Sequence, residues 1–310
     1  MIKYSFMIGA LAMGLLSACG GSGTSETGGN ISIDGSSTVY PISEAVAEDF
    51  RTVNSKVNVT VGESGTGGGM QKFTRGEIDI CDASRRIKEK EIAKADSAGI
   101  KILELEIAYD GLAVVVNIDN SWVDKLTTAE LKMVWESAAQ GNVTKWNQIR
   151  ADWPDEELHL YGPGTASGTY EYFTEAICGE KGNSRGDYTA SEDDNVLVQG
   201  VAGDKGGLGY FGMAYYEANK DKLRVVPIDN GNGNAVIPTQ ETVLNKTYAP
   251  LSRPLFIYVS LNALARPEVK QFVDYYIDNV AQLSKEVGYV PLQPEMYTDT
   301  KQKLSAAEAK

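Results

Sequence analysis

Histidine is nearly absent from this 310-residue chain, and His159 is its single example. That removes the usual base for a serine or cysteine nucleophile. No cysteine or carboxylate grouping stands at ligand spacing to build a zinc site either. Cysteine is scarce, with three residues, so it gives little ground for inferring a bridge. Positive charge is in deficit: the formal net charge is −13 and the isoelectric point is near 4.7. A nucleic-acid partner needs a basic surface and is argued against. Small anions stay open, because they answer to local donors rather than to net charge. What remains is ordinary for a soluble globular protein, with 42% hydrophobic and 23% charged residues. The length leaves room for one large or two medium domains.

The longest apolar run, Phe6 to Leu16, follows Lys3 and is too short for a good membrane span. It ends in Leu16-Ser17-Ala18-Cys19, which resembles a bacterial lipobox. Residues 1–18 are therefore expected to be a signal peptide, with Cys19 lipidated and holding the mature chain to a membrane surface. Residues 19–30 are mostly Gly, Ser, Thr and Glu and read as a flexible tether, with structure beginning at Ile31. Of the two other cysteines, Cys81 lies in an apolar strand pattern and is expected to be buried and free. Whether it pairs with Cys178 is left open.

One local device occurs three times: a short strand, a small polar turn, then an amphipathic helix. Gly162 to Tyr170 is the first instance, with Ser167 and Thr169 offering hydroxyls and a cap. Asp34 to Pro41 is the second, with Ser37 or Thr38 as the cap. Gly62 to Met70 is the third, where five glycines in eight residues demand unusual backbone angles or close backbone approach. It is not a Walker A loop, because no Gly-Lys-Ser/Thr follows. Free N–H groups at a helix start, backed by the positive end of the dipole, suit an anion. Ser84 and Arg85 would add hydroxyl and guanidinium donors, whereas Arg86 reads as a solvated helix start.

Elsewhere, Lys101–Glu106 and Leu112–Asn117 read as two strands separated by Ala108-Tyr109-Asp110-Gly111. Thr127 or Thr128 starts a helix, and Ser191-Glu192-Asp193-Asp194 resembles a capping box. Leu223–Ile228 and Ser252–Ser260 read as strands. A long helix starts near Pro267 and buries Val269, Phe272, Val273, Tyr276, Ile277 and Val280. Residues 299–310 read as a frayed helical tail. Strands alternate with helices almost throughout, which implies an α/β class with largely parallel sheets.

Taken in order, Asp34 to Pro41, Ser64 to Gly69, Asp79 to Arg85, Gly162 to Tyr170 and Gly207 to Tyr210 resemble the phosphate-binding proteins of the high-affinity phosphate ABC transporter, the PstS family. The resemblance covers about residues 31–295. It implies a two-lobed, type II-like periplasmic-binding-protein fold, with two mixed sheets flanked by helices and a hinge of two crossover strands. Lobe one would be residues 31–109 and 254–310, and lobe two residues 110–253. It implies a monomeric solute-binding lipoprotein of the cell envelope, not an enzyme and without cofactor or metal. Such a protein captures inorganic phosphate and delivers it to an inner-membrane ABC permease.

Carried over by position, the implied phosphate contacts are Ser37, Thr38 and the backbone of Val39, then Thr66, Ser84 and Ser167-Gly168-Thr169. Some family members carry an aspartate where Ser84 stands, and an arginine–aspartate pair near Pro163 and Thr165; this chain has neither. Arg85 is expected to supply the positive charge instead. Asp34, Asp82 and Asp110 stand as alternatives for the group that accepts the proton of hydrogen phosphate. The competing readings are a binder of sulfate, molybdate or arsenate, and a phosphate-ester hydrolase, which lacks a base.

Overall fold

The computed structural model describes residues 28–308. The expected signal peptide of residues 1–18, the lipidation site Cys19 and the tether up to residue 27 lie outside the described residues. Structure begins earlier than Ile31: Gly29 and Asn30 already pair with Val57 and Asn58.

The main sheet has ten strands, and one of them organises it. Ile102–Asn117 runs through as a single 16-residue strand where two were expected. Its first part, Ile102–Gly111, pairs antiparallel with Ser252–Ser260. Beyond that lie Ile80–Ala83, Gly29–Gly35 and Val57–Gly62, parallel to one another. Its second part, Leu112–Val116, pairs antiparallel with Gly207–Gly212, beyond which lie His159–Pro163 and Thr189–Ser191. The two mixed sheets of the implied fold are thus two halves joined through a shared strand. Strict βα alternation had implied largely parallel pairing. The two longest strands are antiparallel instead, because each crosses the sheet in the opposite sense. A separate three-stranded sheet joins Leu126–Thr127, Ile228–Asp229 and Ala235–Val236.

The long strand is buried without a break from Ile107 to Asn117. A strand covered on both faces shows no period-two alternation, so Tyr109-Asp110-Gly111 reads like a turn when it is strand interior. The helix Pro267–Glu286 forms as read, from its proline first turn to its six foreseen buried residues. It packs on Tyr40–Val53, with the Phe50 and Phe272 rings edge to face at 5.3 Å. Each such buried aromatic side chain contributes on the order of 2–3 kcal/mol. The C-terminal segment is a packed helix, Pro294–Glu308, rather than a frayed tail. Tyr297 donates its hydroxyl to the Ile107 carbonyl at 2.8 Å, and Leu304 is buried.

Three local readings change. The glycine run is not a loop before a helix; it lies within the helix Gly65–Phe73. A Cβ at Gly69 would fall 2.6 Å from the Gly35 Cα and 2.8 Å from the Asp34 carbonyl oxygen, so the glycines serve close approach. The helix Asp194–Ala202 is capped by Asp193, which accepts from the Asn195 N–H at 2.9 Å; Ser191 ends a strand instead. The run Leu223–Ile228 splits into Leu223–Val225 and Ile228–Asp229 around Pro227, which has no N–H for a ladder.

Asp82 is wholly enclosed in the first half of the sheet. Its Oδ1 accepts from Ser43 Oγ at 2.9 Å, and Ser43 Oγ lies 3.0 Å from the Tyr276 hydroxyl. Among the described residues its Oδ2 has no partner. Burial pushes this carboxyl up to about 7 from an ordinary 3.8. The native chain therefore holds a proton that the unfolded chain releases. That stabilisation is complete below the unfolded value and is lost as pH rises through about 7. Urea unfolding of wild type and Asp82→Asn across this interval should show wild type losing stability relative to the variant, by a few kcal/mol in all. A stability difference independent of pH would contradict an enclosed, titrating Asp82.

Candidate functional site

Three turns and one arginine meet where the two halves of the sheet join. The first turn follows the strand Gly29–Gly35. Ser36 donates its N–H to the Asp82 carbonyl at 2.9 Å, and Val39 and Tyr40 donate back to the Ser36 carbonyl. Backbone closes this turn, so the helix Tyr40–Val53 carries no side-chain cap. The cap expected of Ser37 or Thr38 is therefore not made. The Val39 N–H is already engaged, whereas among the described residues the N–H groups of Ser37 and Thr38 have no protein acceptor.

Thr38 Oγ1 is turned to another use. It accepts from Arg253 Nη2 at 2.7 Å. Arg253 lies at the start of the strand Ser252–Ser260 and was not foreseen as a site residue. Its Nε donates to Asp110 Oδ2 at 3.3 Å, and its guanidinium stacks 3.7 Å from the centroid of the Tyr172 ring. Tyr172 in turn donates its hydroxyl to the Pro250 carbonyl. One largely enclosed cation thus joins both long strands, the first turn, and the helix Gly168–Phe173 of the other half.

The second turn brings Thr66, in the first turn of its helix, against Ser84: the Ser84 N–H donates to Thr66 Oγ1 at 3.2 Å and the hydroxyls are 3.3 Å apart. The third turn comes from the opposite half. Ser167 caps its helix by accepting from the Thr169 N–H at 3.1 Å, as read. Gly168 lies directly on Thr38. A Cβ there would fall 2.6 Å from Thr38 Oγ1 and 2.7 Å from the Thr38 nitrogen. Contacts below about 3 Å do not exist for real side chains, so glycine alone permits this approach.

The structure therefore gathers Thr38, Thr66, Ser84 and Gly168 around Arg253. Thr66, Ser84 and Arg253 line a cavity of 440 Å³. Ser37, Ser167, Gly168 and Thr169 line a second of 330 Å³ with Asp110. Arg85 lines the first cavity but is committed elsewhere. Its guanidinium is paired with both carboxylate oxygens of Glu91 at 2.9 Å, which is the fork geometry that satisfies it. The positive charge nearest Thr38 is Arg253.

The three candidate acids differ in surroundings. Burial pushes the Asp34 carboxyl up, but the Lys72 ammonium and two Ser64 donors outweigh it and hold it below the usual range. Asp82 faces the core, as described above. Asp110 is buried and lines the cavity with Ser167–Thr169. Burial raises its carboxyl, and Arg253 works against that rise. His159 is exposed on the far strand, 2.6 Å from Asp204, and takes no part. Cys81 and Cys178 are buried free thiols.

The chain matches the PBP superfamily domain over residues 20–280. It is 52% identical over 274 residues to protein SphX of Synechococcus elongatus, covering 88% of this chain and 81% of that protein. It is 39% identical over 305 residues to the phosphate-binding protein PstS of Staphylococcus saprophyticus, covering 96% and 93%. A crystal structure of a possible phosphate-binding protein from Planctomyces limnophilus superposes with a TM-score of 0.85 at 46% identity, over 90% of this chain and 99% of that one.

Removing one partner of a buried ion pair strands the other charge and typically costs about 3–5 kcal/mol. Arg253→Met alone should destabilise the ligand-free chain by that order in urea unfolding. The double variant Arg253→Met, Asp110→Asn should recover about half of the loss or more. Strict additivity of the two single changes would show that the pair is not coupled.

Proposed function

Because the chain belongs to the PstS family of phosphate-binding proteins within the PBP superfamily, we propose that it captures inorganic phosphate between the two halves of its sheet. The observation that carries this reading is the meeting of Thr38 and Gly168 around Arg253. Donors from both halves line the two cavities that flank this contact. Ser37 and Thr38 offer free amides, Thr66 and Ser84 offer hydroxyls, and the Ser167-Gly168-Thr169 turn closes over them. Neutral donors bind an oxyanion without adding buried charge that needs its own partner. Arg253 supplies the counter-charge in the place first given to Arg85, whose guanidinium Glu91 already satisfies.

On this reading residues 31–109 and 254–310 form one lobe and residues 110–253 the other. They hinge where Ile102–Asn117 and Ser252–Ser260 cross, and ligand closes them. Asp110 is the proton acceptor. It is the candidate that borders the Ser167–Thr169 turn; burial raises its carboxyl and Arg253 opposes that rise. A carboxylate accepts the P–OH of hydrogen phosphate, whereas fully ionised sulfate offers only lone pairs against it. The chain acts as a binder that hands phosphate to an ABC permease, anchored through a lipidated Cys19 at the cell envelope.

Calorimetric titration of the mature chain with phosphate and then sulfate tests the reading. Wild type should bind phosphate tightly, without turnover. Gly168→Ala should lose at least about tenfold in affinity, because the added Cβ meets Thr38 and blocks closure. Phosphate affinity unchanged in Gly168→Ala would remove the inter-half site. Asp110→Asn should narrow the preference for phosphate over sulfate; an unaltered ratio would exclude Asp110 as the acceptor.

A further inference from the structure

The two cavities that flank the Thr38–Gly168 contact carry opposite charge. Among the described residues the 330 Å³ cavity is lined by four carboxylates, Glu63, Asp110, Glu192 and Asp194, and by no lysine or arginine. The 440 Å³ cavity is lined by Arg85, Lys88, Lys181 and Arg253, with Glu175 as its lone carboxylate. Three of these cations have partners: Arg85 is held by Glu91, Arg253 by Asp110, and Lys181 lies 2.8 Å from Glu171. Among the described residues the Lys88 ammonium forms no salt bridge, although its charge is felt by Glu91, whose Oε2 accepts from the Lys88 backbone N–H at 2.8 Å. Lys88 and Lys181 are both exposed and come from opposite halves of the molecule, while Thr66, Ser84 and Arg253 are more enclosed.

This contrast matters because the chain as a whole repels anions, with a net charge of −13. At ordinary ionic strength the screening length is about 10 Å, so the last approach is governed by the charges at the opening itself. We propose that the Lys88–Lys181 opening is an outer anion site, through which a tetrahedral oxyanion reaches Arg253, while the carboxylate-lined opening on the other side turns it away. The proposal rests on the phosphate-binding reading above and adds a route and two residues to it. Lys88 and Lys181 act on the encounter, not on the bound state.

Salt separates the local field from the global one by sign. If net charge governed encounter, screening would relieve repulsion and association would speed up with salt. If the basic opening governs, screening weakens attraction and association slows.

The test is stopped-flow association and dissociation of inorganic phosphate with the mature chain, between about 20 and 500 mM salt. Wild-type kon should fall as salt rises. Lys88→Glu, Lys181→Glu should lower kon about tenfold at low salt and reverse the slope, with koff within about twofold and the difference gone at high salt. Lys88→Gln, Lys181→Gln should give a smaller loss in the same direction. Glu63→Gln and Glu192→Gln, on the other side, should move kon by less than about twofold. A wild-type kon that rises with salt, or a charge-reversed variant with unchanged kon, overturns the outer site while leaving phosphate binding intact. Absence of any phosphate binding by wild type removes the functional reading and this inference together.

Discussion

A largely enclosed guanidinium must be matched by protein partners or it destabilises the fold. Arg253 meets that constraint with Asp110 on the neighbouring strand, Thr38 on the first turn and the Tyr172 ring from the other half of the sheet. These groups belong to separate parts of the chain, and no single one of them satisfies the cation. The surrounding architecture follows from holding them together. The Ile102–Asn117 strand runs unbroken so that Asp110 sits beside Arg253 in register. Backbone alone closes the first turn, which frees the Thr38 hydroxyl for Arg253. Gly168 has no side chain, so its helix comes down onto Thr38.

On the proposed reading, the same arrangement lets an acidic protein hold an anion. Its global field is unfavourable, but the donors around Thr38 are amides, hydroxyls and one pre-paired cation. Their desolvation is met in advance by protein partners: Ser84 with Thr66, Thr169 with Ser167, Arg253 with Asp110. A ligand entering such a cradle exchanges partners rather than exposing uncompensated charge. The glycine-rich helix Gly65–Phe73 contributes by proximity. With Gly69 against Gly35, Thr66 comes within reach of Ser84.

Where the signal was local, the sequence was legible. The start of Pro267–Glu286 and its buried face follow from a proline and a helical period. Ser252–Ser260 follows from its apolar run, and of the two starts read at Thr127 or Thr128 the structure uses Thr127, in a capping box with Glu130. The three strand–turn–helix devices were visible because small polar residues mark turns. What escaped depended on distance along the chain or on cover from both faces. Tyr109-Asp110-Gly111 imitates a turn, and only its neighbours on both sides of the sheet make it strand. Arg253 stands 143 positions from Asp110 and 215 from Thr38, so its importance has no local trace beyond a charge opening an apolar strand. Arg85 adjoins Ser84 in sequence, yet its guanidinium is paired with Glu91, six residues on.

The central claim is spatial, and diffraction from crystals of the mature chain grown with phosphate tests it most directly. The account predicts one tetrahedral density between the halves, within hydrogen-bonding distance of Thr38, Thr66, Ser84, Arg253 and the Ser167-Gly168-Thr169 turn. Phosphate bound outside that volume, or held by Arg85 with Arg253 untouched, would contradict it.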